Sequence, residues 1–161
     1  MKEEKDNMAE NPLRLVAYCG LYCGLCAHRS RIPERAKLLK ETLHEEGVNW
    51  YYKYVPSMKD TFPIFWNFLN TLVKIDCTCR TAGGPPDCKI RECAKKKGVD
   101  SCPLCSEYPC NLIKHLAEHY VMAIQDGKRL KKIGLKAWVR EQEKRAKRRV
   151  VYADIRVPWE E

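Results

Sequence analysis

Seven of the ten cysteines lie between residues 77 and 110, as Cys77-x-Cys79, Cys88-x4-Cys93 and Cys102-x2-Cys105-x4-Cys110. The same stretch has little apolar periodicity and carries two glycines at 83–84 and two prolines at 85–86, with one helical turn legible around IRECAKKKG. GGPP reads as a turn and not a phosphate loop, because no G-K-[ST] follows it. A long loop inside a compact chain is uncommon unless something other than an apolar face orders it. Clustered thiols point to a bound metal or cluster as that source of order. The other three cysteines precede them as Cys19-x3-Cys23-x2-Cys26, where Gly20 and Gly24 allow tight turns between thiols.

Ten is an even number and would also suit five disulfides. The N-terminus MKEEKDNMAENPLRLVAY, however, is charged and has no apolar h-region or small-residue cleavage site, so a cytoplasmic location is expected. In a reducing compartment C-x2-C pairs read as metal or redox sites, because each places two sulfurs on one turn at two corners of a tetrahedron. Cys23/Cys26 and Cys102/Cys105 are such pairs. They can nucleate two four-cysteine sites and leave two thiols over. Zinc is favoured by this tetrahedral logic, and an iron–sulfur cluster, which uses the same ligands, is the alternative. Among the histidines, His28 stands nearest the thiols in sequence and is the better ligand candidate. His115 and His119 share a helix face at i, i+4 and read as the polar edge of that helix. C-x3-C-x2-C is also the spacing of radical S-adenosylmethionine enzymes, but 161 residues without repeating βα units do not build their barrel.

The remaining pattern is helical. RIPERAKLLKETLHEEG predicts a helix with Pro33 in its first turn, Ala36, Leu39 and Leu43 on one stripe and Gly47 as terminator. Asp60 or Thr61 caps a second, whose Ile64, Phe65, Phe68, Leu69, Leu72 and Val73 predict a core-facing side. WYYKY at 50–54, with Phe62, Phe65, Trp66 and Phe68, reads as core between two helices. A third helix from Cys110 carries Leu112, Ile113, Leu116, Tyr120 and Ile124 and closes at Gly127. A fourth, over roughly 129–147, carries Leu130, Ile133, Trp138 and Val139. LRLVAY and VVYADIRVPW are mildly strand-like. The expected fold is mainly α with cysteine-rich, metal-stabilised loops, a small α or α+β single domain. Its expected parts are a flexible arm at 1–12, a cysteine-rich metal-binding domain with a helical core at 13–127, and a basic C-terminal helix and tail packed on it at 128–161.

CGLYCGLC, then CTCRTAGGPPDCKIRECAKKKGVDSCPLCSEYPC, then the helix beginning NLIKHL, together resemble the domain of unknown function 3795 family of bacterial and archaeal proteins. The likeness runs from about residue 17 to 115, and GLKAWVREQEKRAKR is similar to the tail of one branch. It implies zinc binding through Cys19, Cys23, Cys26, Cys79, Cys88, Cys93, Cys102, Cys105 and Cys110. Cys77 departs from the pattern, since many members space this pair as C-x2-C where here only Thr78 intervenes.

The formal net charge is +9, which falls to about +5 if two zinc ions sit in four-thiolate sites. KRLKKIGLKAWVREQEKRAKRRV reads as a solvated helix face in preference to a nucleic-acid contact, because no binding signature accompanies the charge. No apolar run reaches membrane-spanning length. A thiol near Arg80, Lys89 or Arg91 would be nucleophilic, but no triad or carboxylate pair is legible and no catalytic residue is assigned. The reading is a zinc-stabilised binding or scaffold module, with no reaction assigned and its protein partner unknown. The alternatives are a redox or accessory iron–sulfur protein and nucleic-acid binding through the basic helix.

Overall fold

The apolar periodicities become seven α-helices joined by short 3-10 turns, in a computed structural model that describes residues 11, 13–81 and 83–156. No strand forms among the described residues. Leu13–Tyr18, expected to be extended, instead turns and makes one antiparallel bridge between Val16 and Tyr22. The fold is mainly α. All but residue 11 of the expected N-terminal arm lies outside the described residues, as do residues 157–161 of the strand-like tail. The chain divides into two compact units, 27–76 and the rest.

The 27–76 unit is a helical hairpin. Helix α1 (Arg31–Glu45) ends at Gly47, whose φ of 72° is the left-handed conformation that glycine adopts without strain. The short α2 (Val48–Tyr51) follows, then α3 (Phe62–Val73), with Pro63 in its first turn where its missing N–H costs nothing. Gly47 ends α1 where expected, and α3 starts just after Thr61, although the Thr61 hydroxyl makes no capping bond and donates instead to the Ser57 carbonyl at 3.4 Å. The expected stripes are only partly covered. Ala36, Phe62 and Leu69 are buried, whereas Leu39, Ile64, Phe65 and Phe68 are exposed. Within this unit α3 meets one long partner, α1, so only one side of a nearly all-apolar helix finds cover. The core reading of the aromatics is corrected in the same way. Tyr52, Phe62 and Trp66 stack, with centroids 4.7 and 5.5 Å apart, but Trp50, Tyr51 and Tyr54 face solvent.

The larger unit holds α4 (Lys89–Lys96), α5 (Asn111–His119), α6 (Ala123–Ile133) and α7 (Leu135–Lys147). The single turn expected around IRECAKKKG is thus a two-turn helix. The helix expected to run from 110 to 127 breaks at Tyr120, which leaves the helical backbone and packs edge-on against Tyr152, centroids 5.6 Å apart. Gly127 does not terminate a helix. It lies buried inside α6, where an alanine Cβ would stand 2.0 Å from the Tyr108 hydroxyl oxygen. The helix expected over 129–147 also divides, at Gly134, whose φ of 81° ends α6 and opens α7.

Trp138 belongs to the main core of the larger unit. It is fully buried with Val16, Tyr22, Leu25, Met122, Leu130, Val139 and Tyr152, and Tyr22 meets it edge to face at 6.1 Å. The tail closes this core: Tyr152 sits in a 3-10 turn, and its hydroxyl accepts the Tyr22 amide at 2.8 Å. A second, smaller core of Ala94, Cys102 and Ile113 lies beside α4 and α5.

Candidate metal centre

Both C-x2-C pairs fold into the same turn. Cys23–Leu25 and Cys102–Leu104 are single 3-10 turns entered from an extended residue, and each closes when the second cysteine's amide donates to the first cysteine's carbonyl, at 3.1 and 2.9 Å. This is the knuckle the spacing predicts. The two knuckles are tied to each other through the backbone. The Cys102 amide donates to the Tyr18 carbonyl at 2.7 Å, and the buried Ser101 hydroxyl donates to Ala17 at 3.1 Å. Gly20 makes the approach possible, because its φ of 91° suits glycine and a Cβ there would stand 2.6 Å from the Pro103 ring.

Around the second knuckle, Cys93 from α4 and Cys102, Cys105 and Cys110 line one cavity of about 20 Å³, with Ala94, Val99 and Tyr108 among its other walls. That is room for a single water-sized occupant. The four thiols come from three elements; Cys102, Cys105 and Cys110 share a local motif, and no local signal in the sequence adds Cys93 to them. Around the first knuckle, the Cys79 amide donates to Cys23 Sγ at 3.4 Å, across fifty-six residues of sequence. Burial pushes the Cys19 thiol well above its ordinary range, with Cys79, Cys102 and Cys23 adding to the effect. Cys102 is pushed up to about 12 by burial and then by Cys110, Cys93, Cys105 and Cys88. Cys19 feels Cys23 and Cys79 from its own knuckle and Cys102 from the other, while Cys102 feels Cys88 as well as Cys93, Cys105 and Cys110. All ten cysteines are described and none is joined in a disulfide.

A family model described as "Protein of unknown function (DUF3795)" matches residues 15–115, a span that contains every cysteine and both knuckles. The chain belongs to the DUF3795 family. No curated protein and no solved structure matches it.

In this DUF3795 chain the charged residues beside the cysteines serve the backbone. Arg80 donates from Nε to the Val16 carbonyl at 3.0 Å, reaches the Asp100 carbonyl with its other arm, and lies 4.1 Å from the Tyr18 ring centroid. Arg91 is buried and donates to the carbonyls of Gly83, Pro85 and Pro86 at 2.9, 2.6 and 3.1 Å, which fixes GGPP as a turn. Neither guanidinium is spent on activating a thiol. Cys19 and Cys102 shift upward, so the neutral thiol is their stable form and a nucleophilic thiolate is disfavoured there. His115 is exposed and pairs with Glu118 at 2.9 Å, as a polar helix edge does. His28 is exposed and belongs to the 27–76 unit.

As the side chains stand, no group of three or more His, Cys, Asp or Glu among the described residues converges on a point where a metal ion could be held. What fits a metal is the donor chemistry at the Cys93/Cys102/Cys105/Cys110 cavity. Four cysteines, whose sulfurs are soft donors, line this small space, and the charged residues that line it with them, Lys97 and Glu107, pair with each other. Cysteine side chains reach their alternative staggered positions by rotation about one bond.

Proposed function

We propose that this DUF3795 protein is a binding or scaffold module whose cysteine-rich region is ordered by zinc. Cys93, Cys102, Cys105 and Cys110 would hold one ion. Cys19, Cys23, Cys26 and Cys79 would hold a second, leaving Cys77 and Cys88 over. The observation that carries the reading is a small cavity lined by four cysteines. Zinc in four thiolates has no open coordination position, so its contribution is folding free energy and not chemistry. Thiols that burial keeps neutral would lose their protons on ligation.

Elemental mass spectrometry on protein prepared without air or added metal tests this. About two zinc ions per chain are expected, falling to about one in Cys105→Ser and unchanged in Cys88→Ser. A strong chelator should lower the melting temperature of the wild type. Iron with matching sulfide, or an unchanged melt after demonstrated removal of the metal, overturns the reading.

A further inference from the structure

Residues 123–149 hold eleven Lys and Arg against Asp126, Glu141 and Glu143, a balance of +8 out of the chain's +9. The other 134 residues are nearly neutral. Two of the three acids are engaged locally: Asp126 pairs with Arg145 at 2.9 Å and Glu141 with Arg129 at 2.5 Å. On α7 the unengaged cations form one stripe. Lys136, Arg140, Lys144, Lys147 and Arg148 recur at helical spacing, are all exposed, and make no ion pair among the described residues. They lie opposite the buried side of the helix, which carries Trp138, Val139 and Gln142. At 1.5 Å per residue the stripe is about 18 Å long.

Helix stability does not account for this arrangement. Cations favour a helix C-terminus, which explains Lys144 and Lys147 but leaves Lys136 in the unfavourable first turn, where no acid stands, and gives Arg140 in the middle nothing. Lys136, Arg140, Lys144 and Arg148 also stand at successive i, i+4 positions, where like charges repel. A surface that costs stability in the isolated chain is offset by a polyanion laid along it.

We propose that the exposed face of α7 docks on the phosphate backbone of a double-helical nucleic acid, without reading its sequence. A single strand is the poorer match, because no aromatic side chain is exposed on this face to stack bases, Trp138 being buried. A lipid surface is poorer too. An interfacial helix inserts an apolar face, whereas the apolar side of α7 is committed to the core and no large apolar residue of 123–149 is exposed. This rests on the binding-module part of the proposed function and not on the metal.

Fluorescence anisotropy with a 20-base-pair DNA duplex tests it. Five phosphate contacts give a slope of log K against log salt of about −4.5, hence roughly a 500-fold loss of affinity between 50 and 200 mM NaCl. The triple variant Lys136→Gln, Arg140→Gln, Lys144→Gln should flatten the slope by about 2.7. A control triple, Lys53→Gln, Lys59→Gln, Lys74→Gln, removes the same charge from the 27–76 unit and should bind as the wild type does. No binding at 50 mM salt, an equal loss in both triples, or binding to phosphatidylserine vesicles with none to the duplex would overturn it. Metal content and circular dichroism on the same samples separate this outcome from failure of the zinc reading.

Discussion

Gly127→Ala distinguishes two accounts of one glycine. Inside an unobstructed helix the change stabilises by about 1 kcal/mol through helix propensity. Here the new methyl would stand 2.0 Å from the Tyr108 hydroxyl oxygen, 2.5 Å from the ring carbon bearing it and 3.1 Å from Pro103 Cγ. Tyr108 cannot yield freely, because its hydroxyl donates to the Ala123 carbonyl at 3.0 Å and its ring walls the four-cysteine cavity. Overpacking costs about 1–3 kcal/mol and the displaced hydrogen bond about 1 more. After the propensity gain, the net loss is about 1–3 kcal/mol, a fall in melting temperature of roughly 2–12 °C for a chain of this size.

Differential scanning calorimetry reads that fall, and a second background identifies its cause. In Tyr108→Phe the closest atom is gone, so Gly127→Ala should cost about 1 kcal/mol less than in the wild type. A glycine that merely ended a helix would show the same loss in both backgrounds, since its role would be conformational and local. An equal cost in the two backgrounds, or a melting temperature that rises on Gly127→Ala, refutes the packing argument.

Tyr152→Phe removes the hydroxyl that accepts the buried Tyr22 amide at 2.8 Å; urea titration should show a loss of about 0.5–1.5 kcal/mol with an unchanged m-value. No loss would mean that this hydrogen bond contributes nothing to holding the tail on the core. Arg91→Lys keeps the charge but not the planar fork that spans the carbonyls of Gly83, Pro85 and Pro86. A loss of about 2–3 kcal/mol is expected, with faster amide exchange at residues 83–88, and unchanged exchange there would show that the turn holds itself.

Features with a local cause were legible in the sequence. Pro33 and Gly47 bracket α1, and each C-x2-C closes its own hydrogen bond, so a short window contains the whole cause. Features with a distant cause were not. Gly127 looks like a terminator until Tyr108 is known to press on it, and the helix breaks at Tyr120 because Tyr152 waits thirty-two residues away. The exposed Phe65 and Phe68 make the complementary point. Periodicity shows which side of a helix is apolar, but not whether a neighbour exists to cover it. Trp138 and Val139 were legible as the apolar side of a helix, whereas the polar Gln142, buried one turn on, gave no apolar signal. The grouping of Cys93 with Cys102, Cys105 and Cys110 had no such signal, since a return of the chain past α4 creates it.

The two cores of the larger unit divide the work that a metal would otherwise have to do alone. The first buries Trp138, Tyr22, Leu25, Leu130, Val139 and Tyr152, and no cysteine belongs to it. Apolar burial at about 25 cal/mol per Å² holds α6, α7 and the tail together whatever the state of the thiols. The second has only Ala94, Cys102 and Ile113 at its centre, with Cys19 and Cys110 packed against it. This centre is smaller than the first, and Tyr18, Ile90, Val99, Tyr108 and Ile124 pack around it only partly buried, with Arg91 and the Ser101–Ala17 bond adding polar ties. On the zinc reading, ligation therefore matters where the apolar core is thinnest. The basic face of α7 stands on the other core, to which the first knuckle contributes Tyr22 and Leu25. Loss of metal from Cys93, Cys102, Cys105 and Cys110 would therefore loosen the loops around α4 and α5 before it disturbed the helix that carries the charge.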